Sequence, residues 1–134
     1  MSWRWIDRRL LVLLHDESLA MHGGASGLRD AGLLDSALAR PLNLVACGEP
    51  DLARLAASGA SGLAQNRPIV DGNKRAAFLS VGLLLGLNGY RLVASQAEAT
   101  VAMFGLASGE IDDATFSAWL RDRVAAHGSQ LSST

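Results

Sequence analysis

The sequence contains few of the residues that mark several classes of protein. It has one cysteine, Cys47, in 134 residues, so no disulfide can form within the chain, which suits a reducing cytoplasm. Its 12 basic and 13 acidic residues leave a net charge of −1, and this balance predicts no general electrostatic attraction to nucleic acid or to an anionic membrane. Strand-like patterns are nearly absent apart from residues 90–93, and we therefore expect an all-α protein.

Long hydrophobic runs are also missing. The apolar run at residues 10–14 is shorter than the core of a secretory signal, and no small-residue cleavage site follows it. Residues 76–87 are apolar except for Ser80, but a membrane span needs about 20 such residues. We expect a single cytoplasmic domain over residues 1–134, with a frayed Gly/Ser/Thr-rich tail at 128–134 and neither a membrane partner nor direct nucleic-acid binding.

The stretch that organises the chain is residues 67–89, RPIVDGNKRAAFLSVGLLLGLNG. Asp-Gly marks a turn and Asn-Gly a helix stop, so the apolar part predicts a helix over Asn73–Leu87. A helix that is apolar all round is expected to be buried on every face. The predicted fold is a bundle of five to seven helices around this central helix, with one short β-like segment at residues 90–93.

Helical periodicity and capping residues predict the other helices. The first, residues 5–21, is expected to bury Ile6, Leu10, Leu13 and Leu14. Pro41 is expected to end or kink the second helix. The remaining predicted features are an N-cap at Asp30, a helix over 51–66, a Ser95–Glu98 capping box that starts a helix over 96–108, and a last helix that begins at Asp112 or Asp113 and continues to Gly128.

The polar part of the central stretch, Asp71 to Arg75, has the chemistry of a phosphate site. The first amides of a helix have no internal partner, and the helix dipole adds about half a positive charge there. Gly72 lets an anion approach the backbone, while Lys74 and Arg75 add full positive charges. Asp71 offers the single carboxylate that is usual for Mg²⁺ bound together with phosphates. These residues suggest a nucleotide with magnesium.

A plainer interpretation of the same residues is available. Asp71-Gly72 can be only a turn, Asn73 only an N-cap, and Lys74 with Arg75 a solvated first turn. Cations at a helix N-terminus oppose the dipole, however, and this costs about a few tenths of a kcal/mol unless an anion offsets it. Local physics leaves both interpretations open.

The segment NRPIVDGNKRAAF resembles the signature of the Fic/Doc family, His-x-Phe-x-Asp/Glu-Gly-Asn-Gly/Lys-Arg. Lys74 matches the Doc (death-on-curing) branch, whereas the AMP-transferring Fic branch has glycine there. The segments GLRDAGLLDSALARP at 27–41 and GLNGYRL at 86–92 also look like Doc segments. The resemblance spans most of the chain and implies a Fic/Doc-type helical bundle.

The resemblance also implies a function. Doc toxins belong to toxin–antitoxin pairs, use ATP and Mg²⁺ to phosphorylate a threonine of EF-Tu, and are neutralised by a Phd-like antitoxin. Carried over by position, Asp71 would bind Mg²⁺, Gly72 and Asn73 would shape the anion site, and Lys74 and Arg75 would hold the nucleotide phosphates. In Doc proteins the lysine fills space that Fic proteins leave for phosphate, which favours phosphoryl transfer over AMP transfer.

The sequence departs from the family at the catalytic histidine, where it has Arg67. That histidine accepts the proton of the attacking hydroxyl, and arginine cannot, because a guanidinium has only donors and offers no free base near neutral pH. Ile69 replaces the motif phenylalanine, which is a milder change. The chain's own histidines, His15, His22 and His127, are expected at the surface or at helix ends.

Three explanations of Arg67 remain open: a disabling change in an otherwise active toxin, a paralogue that acts only by binding, or altered chemistry. The first is favoured because Asp71, Asn73, Lys74 and Arg75 all persist. The alternatives to a disabled kinase toxin are a Fic-type AMP transferase and a non-catalytic antitoxin-binding module.

Overall fold

The computed structural model describes residues 2–24, 27–68 and 72–127, apart from the side chain of His22. Over these residues the chain forms six helices and one two-stranded sheet. The elements are α1 (Arg8–His22), α2 (Ala31–Cys47), α3 (Leu52–Asn66), α4 (Asn73–Leu87), β1 (Tyr90–Leu92), α5 (Gln96–Ser108), α6 (Asp113–Arg121) and β2 (Val124–Ala126). The predicted all-α class is confirmed. In the part of the chain that is described, no helix combines the length and the apolar character that crossing a membrane requires.

The most deeply buried helix is α3, which is buried without interruption over residues 55–64. Many of its residues are alanine, serine or glycine, whose side chains are small or absent, so neighbouring helices approach its backbone closely. A Cβ on Gly62 would lie 2.8 Å from Cδ of Arg40 and 3.0 Å from Cα of Ala37, both on α2. The α2–α3 contact therefore requires glycine at position 62.

Helix α4 has the predicted bounds, but the expectation that it is buried on every face is wrong. Lys74, Phe78, Gly82 and Gly86 are exposed and follow one another at intervals of four, which is one face of a helix. Two of the four are glycines, which contribute no side chain, and they line an open apolar groove together with Phe78 and Leu83. The apolar composition of α4 therefore predicts more burial than the helix has.

The buried face of α1 also differs from the prediction. Leu11, His15 and Leu19, spaced by four, are buried, whereas Leu10 and Leu13 are 37% and 60% exposed. Residues 10–14 are all apolar, so hydrophobicity alone does not fix which face turns inward. Burial of His15 contradicts the expectation of a surface or helix-end position, while His127 is exposed as expected.

The second helix does not end at Pro41, one of the two outcomes expected there, and the predicted end of the last helix is wrong. Helix α2 continues through Pro41 to Cys47, and the proline is buried with its Cγ 3.6 Å from the Cβ position of Gly59 on α3, so packing compensates for the lost hydrogen bond. The last helix ends at Arg121 instead of continuing to Gly128. Residues 124–126 instead pair antiparallel with β1, because that short strand needs a partner for its backbone groups.

Five helices begin at a residue whose side chain accepts a hydrogen bond from the first turn. These N-caps are Asp7 for α1, Asp30 for α2, Asp51 for α3, Ser95 for α5 and Asp112 for α6. The predicted capping box is confirmed, since Ser95 and Glu98 each accept from the other's backbone amide. The sixth helix, α4, lacks such a cap.

Asp51 connects the buried α3 to α6. Its carboxylate accepts from the Arg54 amide at 3.0 Å and from both Nε and Nη2 of Arg121, at 2.5 and 3.1 Å. The hydrogen bonds from Arg121, with help from the Arg54 amide and against partial burial, lower the pKa of Asp51 below its ordinary value of 3.8. Its stabilising contribution is therefore complete above about pH 4 and is lost as the pH falls through the folded-state pKa.

We expect Asp51→Asn to lower the free energy of unfolding at pH 7 by about 0.5–1 kcal/mol, because both paired side chains are half exposed. Asparagine still caps the helix but lacks the charge that Arg121 binds. Denaturant unfolding at neutral pH and near pH 3 measures the effect, with the exposed Asp16→Asn as control. A stability gap between parent and Asp51→Asn that does not narrow in acid contradicts this account.

Candidate functional site

A cavity of about 970 Å³ opens at the N-terminus of α4. The residues that line it come from the end of α3, the start of α4 and one face of α5: Ala64, Gln65, Arg67, Gly72, Asn73, Lys74, Arg75, Thr100, Phe104, Ala107 and Ser108. Three of these side chains are cationic, and none of the described lining residues is acidic. The cavity is therefore suited to an anionic ligand.

The helix end that faces this cavity begins at glycine. Gly72 is the N-cap of α4, with φ 82° and ψ 32°, a left-handed conformation that favours glycine. It has no side chain with which to cap the first turn, although its carbonyl accepts the Ala76 amide at 2.9 Å. Asn73 is the first helical residue and not the N-cap that the plainer interpretation required. This helix end therefore keeps its positive dipole without an N-cap oxygen against it.

His15 of α1 packs against Gly72. A Cβ at position 72 would lie 2.7 Å from Cε1 of His15 and 3.3 Å from its Nε2, closer than real Cβ contacts allow. The imidazole is 1% exposed, so it is enclosed between α1 and the start of α4. Because the ring already occupies this space, position 72 needs glycine for steric reasons as well as for its backbone conformation.

Arg75 brings a second group to the same point. Its Nη1 lies 3.7 Å from the Cβ position of Gly72. The atom is buried and has no hydrogen-bond partner among the residues that the structure describes. A buried guanidinium nitrogen costs free energy unless an acceptor satisfies it. The oxygen of an anion bound in the cavity would supply one.

Arg67 caps the C-terminus of α3 in a left-handed conformation, with φ 53° and ψ 54°. Its carbonyl accepts a hydrogen bond from Nε of Arg29 at 2.8 Å, and Nη2 of Arg29 also binds the Asn66 carbonyl at 3.1 Å. The amides of Arg29 and Asp30 both donate to the Pro68 carbonyl, at 2.8 and 3.0 Å. The backbone at 66–68 is thus anchored to the start of α2, while the Arg67 side chain remains exposed at the cavity.

Asp71, the predicted metal ligand, lies outside the described residues, as does Ile69. Among the residues that are described, no group of three or more His, Cys, Asp or Glu side chains could hold a metal ion. A magnesium ion carried by nucleotide phosphates needs only one or two protein carboxylates. The buried Arg75 nitrogen and the glycine cradle fit the phosphates of such a complex.

The structure brings together five of the six predicted site residues: Arg67, Gly72, Asn73, Lys74 and Arg75 all line the cavity. Sequence reasoning missed the supporting residues His15 and Arg29. It also missed the α5 wall, which includes Thr100, Phe104 and Ser108. A spacing of four places His15 between Leu11 and Leu19, and the same spacing joins the three α5 residues. Both patterns were readable, but neither indicates which element lies opposite.

Comparison with known proteins identifies the family of the chain. The sequence model of the Fic/DOC family matches residues 5–85. A protein named Toxin Doc, from Mycolicibacterium smegmatis (strain ATCC 700084 / mc(2)155), is 43% identical over 74 residues, which cover 54% of this chain and 57% of that protein. Protein kinase doc of Escherichia phage P1 is 32% identical over 119 residues, which cover 88% of this chain and 94% of that protein. The chain therefore belongs to the Fic/Doc family, in its Doc branch.

Proposed function

We propose that this chain is a Doc-type toxin whose site binds ATP with Mg²⁺ for phosphoryl transfer to a threonine of EF-Tu, and that Arg67 disables this copy. The observation that carries the proposal is the glycine-capped start of α4, where the buried Arg75 Nη1 has no partner among the described residues. The names of two relatives, a toxin and a protein kinase, support the reaction class. The expected partner is a Phd-like antitoxin, and the target lies in the cytoplasm.

The phosphates would bind at the start of α4. His15 fills the Cβ side of Gly72, so an anion would approach this helix end from the cavity that Gly72 lines. Asn73 begins the helix, and the cationic side chains that follow supply charge-assisted hydrogen bonds. Arg75 is held close to the glycine, and its Nη1 would turn from its buried position toward the cavity to meet an oxygen there. Asp71 would hold Mg²⁺, which, when bound, neutralises charge on the phosphates.

Lys74 supports phosphoryl transfer over AMP transfer. Its side chain lines the cavity at the second residue of α4, and its Nζ lies over the ring of Phe104 on the opposite wall. It therefore occupies volume beside the anion site that glycine, the Fic residue at this position, would leave empty. That difference favours the Doc orientation of the nucleotide.

Arg67 accounts for the expected lack of turnover. Its exposed guanidinium at the cavity carries only hydrogen-bond donors and cannot accept the proton of an attacking hydroxyl. His15 does not substitute for it, because a ring that is 1% exposed cannot reach a protein substrate. Nucleotide binding and loss of proton acceptance are therefore separate properties of this chain.

We expect Arg67→His to raise ATP-dependent phosphorylation of EF-Tu by about 10²- to 10⁴-fold, because it provides a general base. Histidine is tolerated in the left-handed conformation of residue 67, so the loop should be preserved. The measurement is transfer of the labelled terminal phosphate, with mass spectrometry of the modified threonine.

The matched control is Arg67→Asn, since asparagine also tolerates this backbone but is no base at neutral pH. Equal activity of the two variants would refute the role of position 67. An added mass of AMP would indicate a transferase of the Fic type. The lack of a proton acceptor also fits a non-catalytic module, and failure of both variants to bind ATP, with retained antitoxin binding, would favour that function.

We expect Gly72→Ala to weaken binding of Mg·ATP and to destabilise the fold more than Gly109→Ala does. Both residues have positive φ, 82° and 84°, which costs alanine about 1–2 kcal/mol, but the Cβ position at Gly109 is open. The collision with His15 should add about 1–3 kcal/mol at position 72.

Denaturant unfolding and calorimetric titration with Mg·ATP measure the two effects. Introducing His15→Ala into the Gly72→Ala chain should recover part of the lost stability, because it makes room for the new methyl group. Equal destabilisation by the Gly72 and Gly109 variants would show that the imidazole does not limit this position.

A further inference from the structure

One wall of the cavity consists of a face of α5 that the proposed chemistry has not used. Thr100, Phe104 and Ser108 follow one another at intervals of four, with Ala107 beside them, and all four line the cavity. The ring of Phe104 is 56% exposed, although other α5 residues, including Met103 and Leu106, are buried in the core. Phe104 therefore contributes its aromatic face to the cavity and not to the packing of the bundle.

The group in contact with this ring is the ammonium of Lys74. Nζ lies 5.1 Å from the ring centroid, within the range of a cation–π interaction. Lys74 is otherwise exposed and forms no ion pair with a described residue. A lysine side chain free in solvent samples many rotamers, and holding it in one direction costs about 2 kcal/mol of conformational entropy.

We propose that Phe104 is a positioning residue for Lys74, which its ring holds inside the cavity in readiness for the phosphates of a nucleoside triphosphate. This inference rests on the proposed function, because it takes the cavity to be the nucleotide site. It adds a residue on a different helix, 30 positions after Lys74 in the sequence, that tunes the lysine by which the Doc branch differs from Fic.

The chemistry of the contact between the ring and the ammonium explains why Phe104 should strengthen phosphate binding by Lys74. A carboxylate beside Lys74 would neutralise its charge and compete with phosphate for its three donors. An aromatic face attracts the ammonium through the ring quadrupole and carries no formal charge. The ring therefore restricts where Nζ lies while leaving its positive charge available to an anion. The preorganisation should appear as tighter binding.

The experiment is calorimetric titration of the full chain with Mg·ATP; the parent carries Arg67, so turnover does not interfere. Phe104→Leu keeps apolar bulk but removes the quadrupole, and we expect it to weaken binding about two- to fivefold, the equivalent of an exposed cation–π contact. Phe104→Tyr keeps the aromatic face, so its affinity should stay within about twofold of the parent. Lys74→Met should weaken binding at least as much as Phe104→Leu.

The decisive comparison is between Lys74→Met alone and Lys74→Met combined with Phe104→Leu. The second substitution should cause no further loss of affinity for Mg·ATP, because the ring acts only through the lysine. Any of three results would overturn the positioning role. Phe104→Leu could cause the same loss of affinity with and without Lys74, it could leave binding unchanged or tighter, or Phe104→Tyr could bind as weakly as Phe104→Leu. Unchanged affinity in Lys74→Met would also overturn the positioning role, whereas failure of the parent to bind Mg·ATP would overturn the proposed nucleotide site. Because Phe104 is largely exposed, these variants should fold, as circular dichroism can verify.

Discussion

The start of α4 depends on the absence of space for a side chain at position 72. The His15 ring occupies the place that a Cβ would take, and the backbone there is left-handed. These two restrictions exclude the aspartate or serine that caps each of the other five described helices. Since no N-cap side chain can satisfy the first turn, the helix dipole remains directed at the cavity, where an external anion can meet it. Packing on α1 thus contributes to the anion preference that we propose for the site.

The segment that joins α3 to α4 is held at both described ends by other elements. Residues 66–68 are anchored by backbone and guanidinium hydrogen bonds from residues 29 and 30, and Gly72 is packed against His15. Sites that bind phosphate through backbone amides need such support, because small displacements misdirect the donors. The resemblance of residues 27–41 to other Doc sequences therefore has a structural reason, since residues 29 and 30 of this segment anchor the backbone at 66–68.

Features that a few neighbouring residues specify could be predicted from the sequence, whereas features that depend on contacts between distant segments could not. The bounds of α4 and α5 were predicted because turn dipeptides and a capping box specify them within a few residues. The cluster from Gly72 to Arg75 was predictable for the same reason. The sequence does not predict the buried face of α1, because residues 10–14 are uniformly hydrophobic and a histidine is not an expected core residue. The continuation of α2 through Pro41 and the pairing of β2 depend on contacts between distant segments.

The structure also gives a reason why position 67 can change without loss of the surrounding site. What the fold requires there is a left-handed residue whose carbonyl binds Arg29, and that bond is made by the backbone. The side chain extends to the exposed edge of the cavity and makes no ion pair within the described part of the chain. Proton acceptance depends on that side chain alone, whereas the anion site depends on Gly72, Arg75 and their packing. A single substitution at 67 can therefore remove the proposed chemistry while the binding geometry persists, and the persistence of Asn73, Lys74 and Arg75 fits the proposed disabled toxin better than a decayed one.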